Sequence, residues 1–209
     1  MNGTYEPLRA RAAWAQRALV VAILVEIASL LSDGAQYSLV QRANWGGVTL
    51  SEVQANDQRQ TLVGYAQLIV FVATAVFFLR WFRRAYANAP ALGAVQPRWT
   101  PAWAVGYWFV PIYSLIRPKQ IANEIWESAE PGGRRRLVDF WWAAWLLGNF
   151  LTLIGFNVGR GVQSIDDFRT FTELYLAADA ASIAAGFLAY QVVKQTTAKQ
   201  HEQAARAHA

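Results

Sequence analysis

Residues 98–120 read RWTPAWAVGYWFVPIYSLIRPKQ, and the path of this stretch decides the topology of everything that follows it. Its apolar part, residues 101–116, would extend about 24 Å as a helix, whereas the hydrocarbon core of a bilayer is about 30 Å thick. Pro111 removes a backbone donor and would kink or break a helix that ran through it. We therefore expect residues 99–116 to form a re-entrant or deeply interfacial segment that returns to the side it came from.

The composition is that of an integral membrane protein. Of the 209 residues, 55% are hydrophobic and 16% are charged, and 10 are tryptophans, which fits a polytopic membrane protein better than a soluble domain. The length suits a single domain. The chain has no cysteine, which excludes disulfides and thiolate metal sites. Both histidines, His201 and His208, lie in a polar tail, so we predict no haem, no other cofactor and no metal.

Four other apolar runs are each near the length that a membrane span needs. We expect crossings at about residues 13–32, 60–80, 138–157 and 171–193, followed by a polar tail over residues 195–209. The first run follows Arg9 and Arg11 and therefore also resembles a signal peptide. Glu26 inside the run and the lack of a clear A-x-A cleavage site favour a retained helix.

Two local patterns predict helices outside the membrane. Thr49 and Glu52 form a capping box, which predicts that the second helix starts there. Residues 118–130 read PKQIANEIWESAE, with Ile121 and Ile125 on one face. This pattern predicts an amphipathic helix that lies on the membrane surface.

The distribution of Lys and Arg predicts the orientation of the chain. Four regions are basic, and two other loops, residues 33–59 and 158–170, are neutral or acidic. The positive-inside rule places the four basic regions in the cytoplasm, which requires that residues 99–116 do not cross. Nine of the ten tryptophans lie on that side or in the central stretch. We predict an all-α membrane helix bundle with four crossings of the cell membrane and both termini cytoplasmic; the alternative is five crossings with the tail outside.

A short internal similarity hints at duplication. Residues 46–52, GGVTLSE, resemble residues 160–167, RGVQSIDD, and each segment precedes a membrane helix. Two hairpins of like orientation would be related by an axis along the membrane normal. Convergent capping of two helices explains the match nearly as well.

A larger similarity is to a known family. Residues 81–94, residues 98–129 and the tryptophan-opened helix at 141–145 resemble a bacterial multi-pass membrane family catalogued as domain of unknown function 4328. The pattern W-x-P-x-W-A-x-G-x-W-F-x-P carries the resemblance, which spans roughly residues 60–195. The resemblance implies a membrane fold and no assigned activity, so it supplies no site residues.

Each predicted crossing has one strongly polar residue near its middle. A charge at mid-bilayer costs about 3 kcal/mol on insertion scales, so these residues should face inward. No Lys or Arg lies at the same depth, so the acids are either protonated at neutral pH or hold a cation, a proton or an amine. The alternative is simple interhelical hydrogen bonding, worth about 0.6 kcal/mol per bond. If they are functional, the four residues form one small polar site between the four helices; they are Glu26, Gln67, Asn149 and Asp179.

Two further sets lie in or beside the central stretch. The aromatic set is either an interfacial belt or a wall for a lipid tail or a flat ligand. The basic set orients the chain and contacts anionic headgroups; a phosphate or nucleotide site is the alternative, but a glycine-rich phosphate loop is missing. The aromatic set is Trp99, Trp103, Tyr107, Trp108 and Tyr113, and the basic set is Arg83, Arg84, Arg117, Lys119, Arg134, Arg135 and Arg136.

These observations favour a protein without catalytic activity. The sequence has no HExxH motif, and no histidine near the membrane that could complete a Ser/His/Asp set. We predict an accessory or interaction module that contacts lipid, a membrane-protein partner or a second copy of itself, and not nucleic acid. The alternative is a small oligomeric channel or a proton- or cation-coupled transporter that uses Glu26 and Asp179. A membrane-perturbing effector is a third reading.

Overall fold

The computed structural model describes residues 4–92 and 97–207, and 83% of this part of the chain is helical, with no strand. Four of its six α-helices are long and apolar enough to cross a membrane, namely α1, α2, α5 and α6. The predicted all-α architecture is therefore confirmed. The helices are α1 (Arg9–Ala43), α2 (Leu50–Ala87), α3 (Pro101–Gly106), α4 (Arg117–Ala129), α5 (Arg136–Gly159) and α6 (Ile165–Ala207), and two short 3₁₀ turns lie at Ala89–Leu92 and Tyr113–Leu115.

Capping boxes open two of the long helices. Before α2, the N–H of Thr49 donates to Glu52 Oε2 at 2.9 Å, and the N–H of Glu52 donates back to Thr49 Oγ1 at 3.4 Å. Before α6, Ser164 and Asp167 exchange the equivalent bonds at 3.0 and 3.1 Å. Both pairs satisfy backbone donors that have no partner inside the helix. The predicted start of the second helix is confirmed.

Two helices continue through residues that the sequence suggested were a loop or a tail. Helix α1 extends to Ala43, into the polar segment that starts at residue 33, and α6 continues to Ala207. The end of α6 is rich in alanine and glutamine, which favour helix. Its Val193, Thr196 and Gln200 recur on one face and are almost fully buried. Burial of this face explains why the tail is helical.

The chain divides into two compact units, and the first has an aromatic core. This unit contains Met1–Val20, Ala73–Trp142 and Phe187–Ala209. Trp81 and Phe82 are each 1% exposed. The ring of Phe78 stacks on that of Phe82 at 5.7 Å and lies 5.5 Å from that of Trp81. The rings of Trp108 and Trp141 also pack against Phe78. Aromatic pairs at these distances stabilise a core beyond the area they bury.

Helix α4 lies in this unit, and its environment corrects the sequence-based prediction. We expected its apolar face to rest on the membrane surface. Instead, Ile121, Ile125 and Trp126 are at most 3% exposed, because this face packs inside the first unit. The amphipathic pattern of α4 therefore reflects the packing of its apolar face against other parts of the protein. Only its polar face, with Lys119 paired to Asp139 at 2.7 Å, remains at the surface.

The second unit contains Val21–Val72 and Ala143–Gly186, and its α5 and α6 segments pack closely at glycines. A Cβ added at Gly155 would lie 2.8 Å from the ring of Tyr175, and one at Gly148 would lie 3.0 Å from Ser182 Oγ. Real Cβ atoms almost never make contacts below 3.0 Å. Small residues at these positions let the two helix backbones approach each other.

Gly155→Val is therefore expected to destabilise the protein by about 1–3 kcal/mol, because the new side chain would overpack the interface with Tyr175. Denaturant titration in mixed micelles measures the change. Gly64→Val is the matched control, since no atom lies within 4 Å of a Cβ added there. Equal losses in the two variants would show that the close contact does not matter.

Candidate functional site

Three of the four predicted intramembrane polar residues lie together in the second unit. The side-chain amide of Gln67 donates to Glu26 Oε2 at 3.2 Å. The carboxyl groups of Glu26 and Asp179 lie close to each other, and the hydroxyl of Ser29 lies close to Asp179. Asp179 is 4% exposed. We call Glu26 and Asp179 the carboxyl pair.

Asn149 does not join them, which differs from the expectation that all four residues share one site. Its side chain is exposed on α5, and its amide donates to the backbone carbonyl of Trp145 at 2.7 Å. A polar side chain on a helix can satisfy itself in this way with a carbonyl one turn earlier. The free-energy cost of a polar side chain in lipid therefore does not by itself show that the side chain points into the protein.

A buried hydrogen-bonded network lies in the same unit, and we call it the polar core. Gln60 Nε2 donates to Asp33 Oδ1 at 2.8 Å and to Gln36 Oε1 at 3.0 Å. Gln36 in turn donates to Thr172 Oγ1 at 3.1 Å. Arg59 donates to Ser32 Oγ at 3.0 Å. The polar core consists of Ser32, Asp33, Gln36, Asn56, Arg59, Gln60 and Thr172.

Sequence reasoning missed the polar core because its residues were assigned either to the loop 33–59 or to the very ends of predicted crossings, as were Ser32, Gln60 and Thr172. A signal for them is present in the spacing of polar residues. Glu26, Ser29, Asp33 and Gln36 recur at intervals of three and four, which places them on one face of a helix. A polar stripe of this kind, continuous with an apolar span, indicates a helix that extends past the apolar run with one buried polar face.

The aromatic set divides into two groups in the first unit. In the first group, the guanidinium of Arg117 lies 5.3 Å from the centre of the Trp99 ring and 5.6 Å from that of the Tyr113 ring. Ring contacts join Tyr107 to Trp99 at 6.1 Å and to Trp103 at 5.0 Å. Such cation–π contacts favour a fixed arrangement of the segment. Trp108 packs elsewhere, in the aromatic core of this unit.

The segment contains a tight turn at Pro111–Tyr113. The N–H of Tyr113 donates to the carbonyl of Pro111 at 2.8 Å, and the residue between them, Ile112, has φ 67° and ψ −51°. These angles and the two-residue bond define a γ-turn of the strained kind. A β-branched residue at positive φ is a real outlier, and Ile112 is 76% exposed, so contacts within the chain do not explain the residue.

Ile112→Gly is expected to stabilise the protein in detergent by about 1 kcal/mol, because glycine adopts positive φ without the steric cost that isoleucine meets. The midpoint of denaturant unfolding measures the gain. Ile116→Gly is the control, since Ile116 is also exposed but has φ −127°. If both glycines destabilise equally, the turn at Ile112 is not strained.

Most of the predicted basic set is engaged within the first unit. Arg84 pairs with Glu6 at 2.9 Å, and Arg135 pairs with Glu127 at 2.9 Å. The amide of Gly132 and the guanidinium of Arg135 hold the pKa of Glu127 below its usual value, because both favour the carboxylate. The exposed members Arg83, Arg134 and Arg136 make no salt bridge with any acid in the described part of the chain.

Comparison with known proteins gives one result. A family model described as Domain of unknown function (DUF4328) matches residues 46–198, which is more than half of the chain. No curated protein and no solved structure matches the chain. Within residues 4–92 and 97–207, no group of three or more His, Asp or Glu side chains is placed to hold a metal ion.

Proposed function

We propose that this chain, which belongs to the DUF4328 family of unknown function, is a non-enzymatic multi-pass membrane protein whose residues 99–116 contact lipid. The observation that carries the proposal is Ile112, an exposed isoleucine held in a strained turn. Strain of this kind concentrates at functional positions. We call the turn around Ile112 the tip of the segment. An apolar side chain there is favourable if the tip enters the hydrocarbon of a bilayer.

The residues around the turn support this reading. Phe109 is 73% exposed, Ile116 is 53% exposed and Leu115 is 40% exposed, and all three lie within seven residues of one another. A contiguous apolar patch rimmed by polar residues marks an interaction surface. Trp103 and Tyr113, both about half exposed, flank it with amphipathic rings of the type that favours the headgroup level.

The distribution of charge supports contact of this surface with the cytoplasmic leaflet. Arg134 and Arg136 follow the segment in the chain and are exposed on the same unit. Anionic lipids on the cytoplasmic face attract such residues by about 1 kcal/mol each when they lie near the surface. We therefore propose that lipid covers this apolar surface and that both chain termini lie in the cytoplasm. Docking of a membrane-protein partner or a second copy on the same patch is the outcome that would replace it.

Labelling at the tip tests the proposal. The chain has no cysteine, so Ile112→Cys introduces a single reactive site. An environment-sensitive fluorophore attached there, in vesicles that contain anionic lipid, is expected to show blue-shifted emission and quenching by spin-labelled acyl chains.

The matched control is Arg134→Cys, which lies at an exposed polar position of the same unit. Its label is expected to remain water-like. If the label at Ile112 is as water-accessible as the label at Arg134, lipid contact is ruled out. If it is shielded but resists quenching by the acyl chains, protein covers the tip.

A proton- or cation-coupled transporter is the second candidate, and the carboxyl pair is the observation that favours it. Transport residues in membranes are ionisable, shielded from lipid and paired; Asp179 is buried, Glu26 is partly buried, and the two lie close together. Flux into proteoliposomes that depends on pH or on a cation, and that both Glu26→Gln and Asp179→Asn abolish, would establish it. The absence of such flux with the wild-type protein would rule out the transporter.

A further inference from the structure

The carboxyl pair has few hydrogen-bond donors nearby, among them the Ser29 hydroxyl close to Asp179. A carboxylate only accepts hydrogen bonds, so two facing carboxylates need a proton or a cation between them. Gln67 supplies one donor to Glu26. Asp179 Oδ2 is buried and receives no hydrogen bond from any N–H or hydroxyl of the described chain. An unpaired buried carboxylate oxygen is costly, and it points to a ligand that can donate to it or neutralise it.

The charged groups around the pair do not fill this role. Asp33 lies near both members and is itself acidic, and the phenol of Tyr175 faces Asp33 and Asp179 from α6. The residues that α5 contributes to this unit, 143–159, include no ionisable side chain. The cation that acts on Asp33, Arg59 on α2, is hydrogen-bonded to Ser32 and Asn56 of the polar core.

Polar side chains extend from the carboxyl pair through the polar core towards the end of the unit near the α1–α2 turn. Helix α1 carries polar side chains one turn apart, from Gln36 through Asp33 and Ser29 to Glu26, and three of the four are at most 6% exposed. At 1.5 Å per residue, Asp33 is about 10 Å along the helix from Glu26. Gln60 on α2 bonds both Asp33 and Gln36, so polar groups follow the whole distance.

We propose that Glu26 and Asp179 share one exchangeable proton, which exchanges with solvent along the polar core from the α1–α2 end of the unit. This inference deepens the second proposed function by naming the ligand and its route. A single proton supplies the missing donor to Asp179 and removes one of the two negative charges. With one proton bound, the three acids Glu26, Asp179 and Asp33 together carry two negative charges. Arg59 and the amides of the polar core offset these charges.

Infrared spectroscopy of the whole protein in lipid tests the site directly, because a protonated carboxyl has its own C=O band that shifts in heavy water. Wild-type protein near neutral pH is expected to show one such buried band. Glu26→Gln and Asp179→Asn should each abolish it, because the introduced amide donates the hydrogen that the proton supplied. Asp57→Asn removes an exposed carboxyl of the same unit and should leave the band unchanged.

The absence of the band in wild-type protein overturns the inference without need of any variant. Survival of the band in either Glu26→Gln or Asp179→Asn overturns the shared proton. The infrared band does not depend on transport. A protein that shows the band but no flux supports the shared proton and rules out the transporter. A protein that shows flux but no band supports the transporter and rules out the shared proton.

The route has its own test in the rate at which the band shifts after transfer to heavy water. Gln60→Leu is expected to slow the shift several-fold, because it removes the amide that bonds both Asp33 and Gln36. Gln58→Leu makes the same change at an exposed position of α2 and should leave the rate at the wild-type value. Equal rates in the two variants would contradict exchange along the polar core.

Discussion

Trp81→Ala is expected to lower the free energy of unfolding by about 3–5 kcal/mol, the largest effect of any single substitution considered for this chain. Trp81 is 1% exposed, and its ring contacts those of Phe78 and Phe82 at 5.5 and 6.3 Å. The indole N–H also donates to Thr197 Oγ1 at 3.0 Å. Alanine would leave a cavity in the aromatic core and remove a bond that joins α2 to α6 inside the first unit.

Denaturant titration in mixed micelles measures the loss, with Trp45→Ala as the control. Trp45 is 89% exposed, so its truncation should change stability by no more than about 0.5 kcal/mol. If the two variants unfold at the same denaturant concentration, the aromatic core does not stabilise the first unit.

Phe109→Asp is the second substitution for which we expect a large effect, and the effect is on membrane contact. Insertion scales assign a buried charge a cost of up to about 3 kcal/mol, so an aspartate at the tip should push residues 99–116 out of the lipid. A fluorophore on Ile112→Cys should then shift from lipid-like to water-like emission. Because Phe109 is 73% exposed, the fold itself should not change.

Phe109→Leu is the control for this experiment, since leucine keeps an apolar side chain of similar reach. Its label should remain as lipid-like as that of the parent. The stability of Phe109→Asp in detergent should match that of the parent within about 0.5 kcal/mol. Unchanged emission after Phe109→Asp would mean that the tip does not enter the bilayer, whatever else covers it.

The long helices were predictable because their signals are local. Four apolar runs of sufficient length indicated α1, α2, α5 and α6, and the capping box at Thr49 and Glu52 located the start of α2. Helix ends without such signals were not predictable. The extension of α1 to Ala43 depends on partners for Gln36 that lie 20 or more residues away in sequence. Propensity alone does not reveal that such a face is buried.

The candidate sites were predictable only in part, for a similar reason. Depth in a membrane identified Glu26, Gln67 and Asp179, because burying such residues in lipid is unfavourable unless they find partners. The same reasoning selected Asn149, which instead bonds its own backbone. Amphipathicity located α4 correctly but not the surface its apolar face meets, since protein and membrane select the same pattern. The γ-turn at Ile112 has no sequence signal, because isoleucine is disfavoured there.

The central claim is that residues 99–116 return to the side they left, so that the chain before and after them is cytoplasmic. Labelling of Arg134→Cys in intact cells with a membrane-impermeant thiol reagent tests this most directly, because the chain has no other cysteine. Reaction only after the cells are opened, or in inverted vesicles, is the predicted result. Reaction from outside an intact cell would mean that the segment crosses the bilayer, and both the lipid-contact proposal and the orientation of α5 and α6 would be wrong.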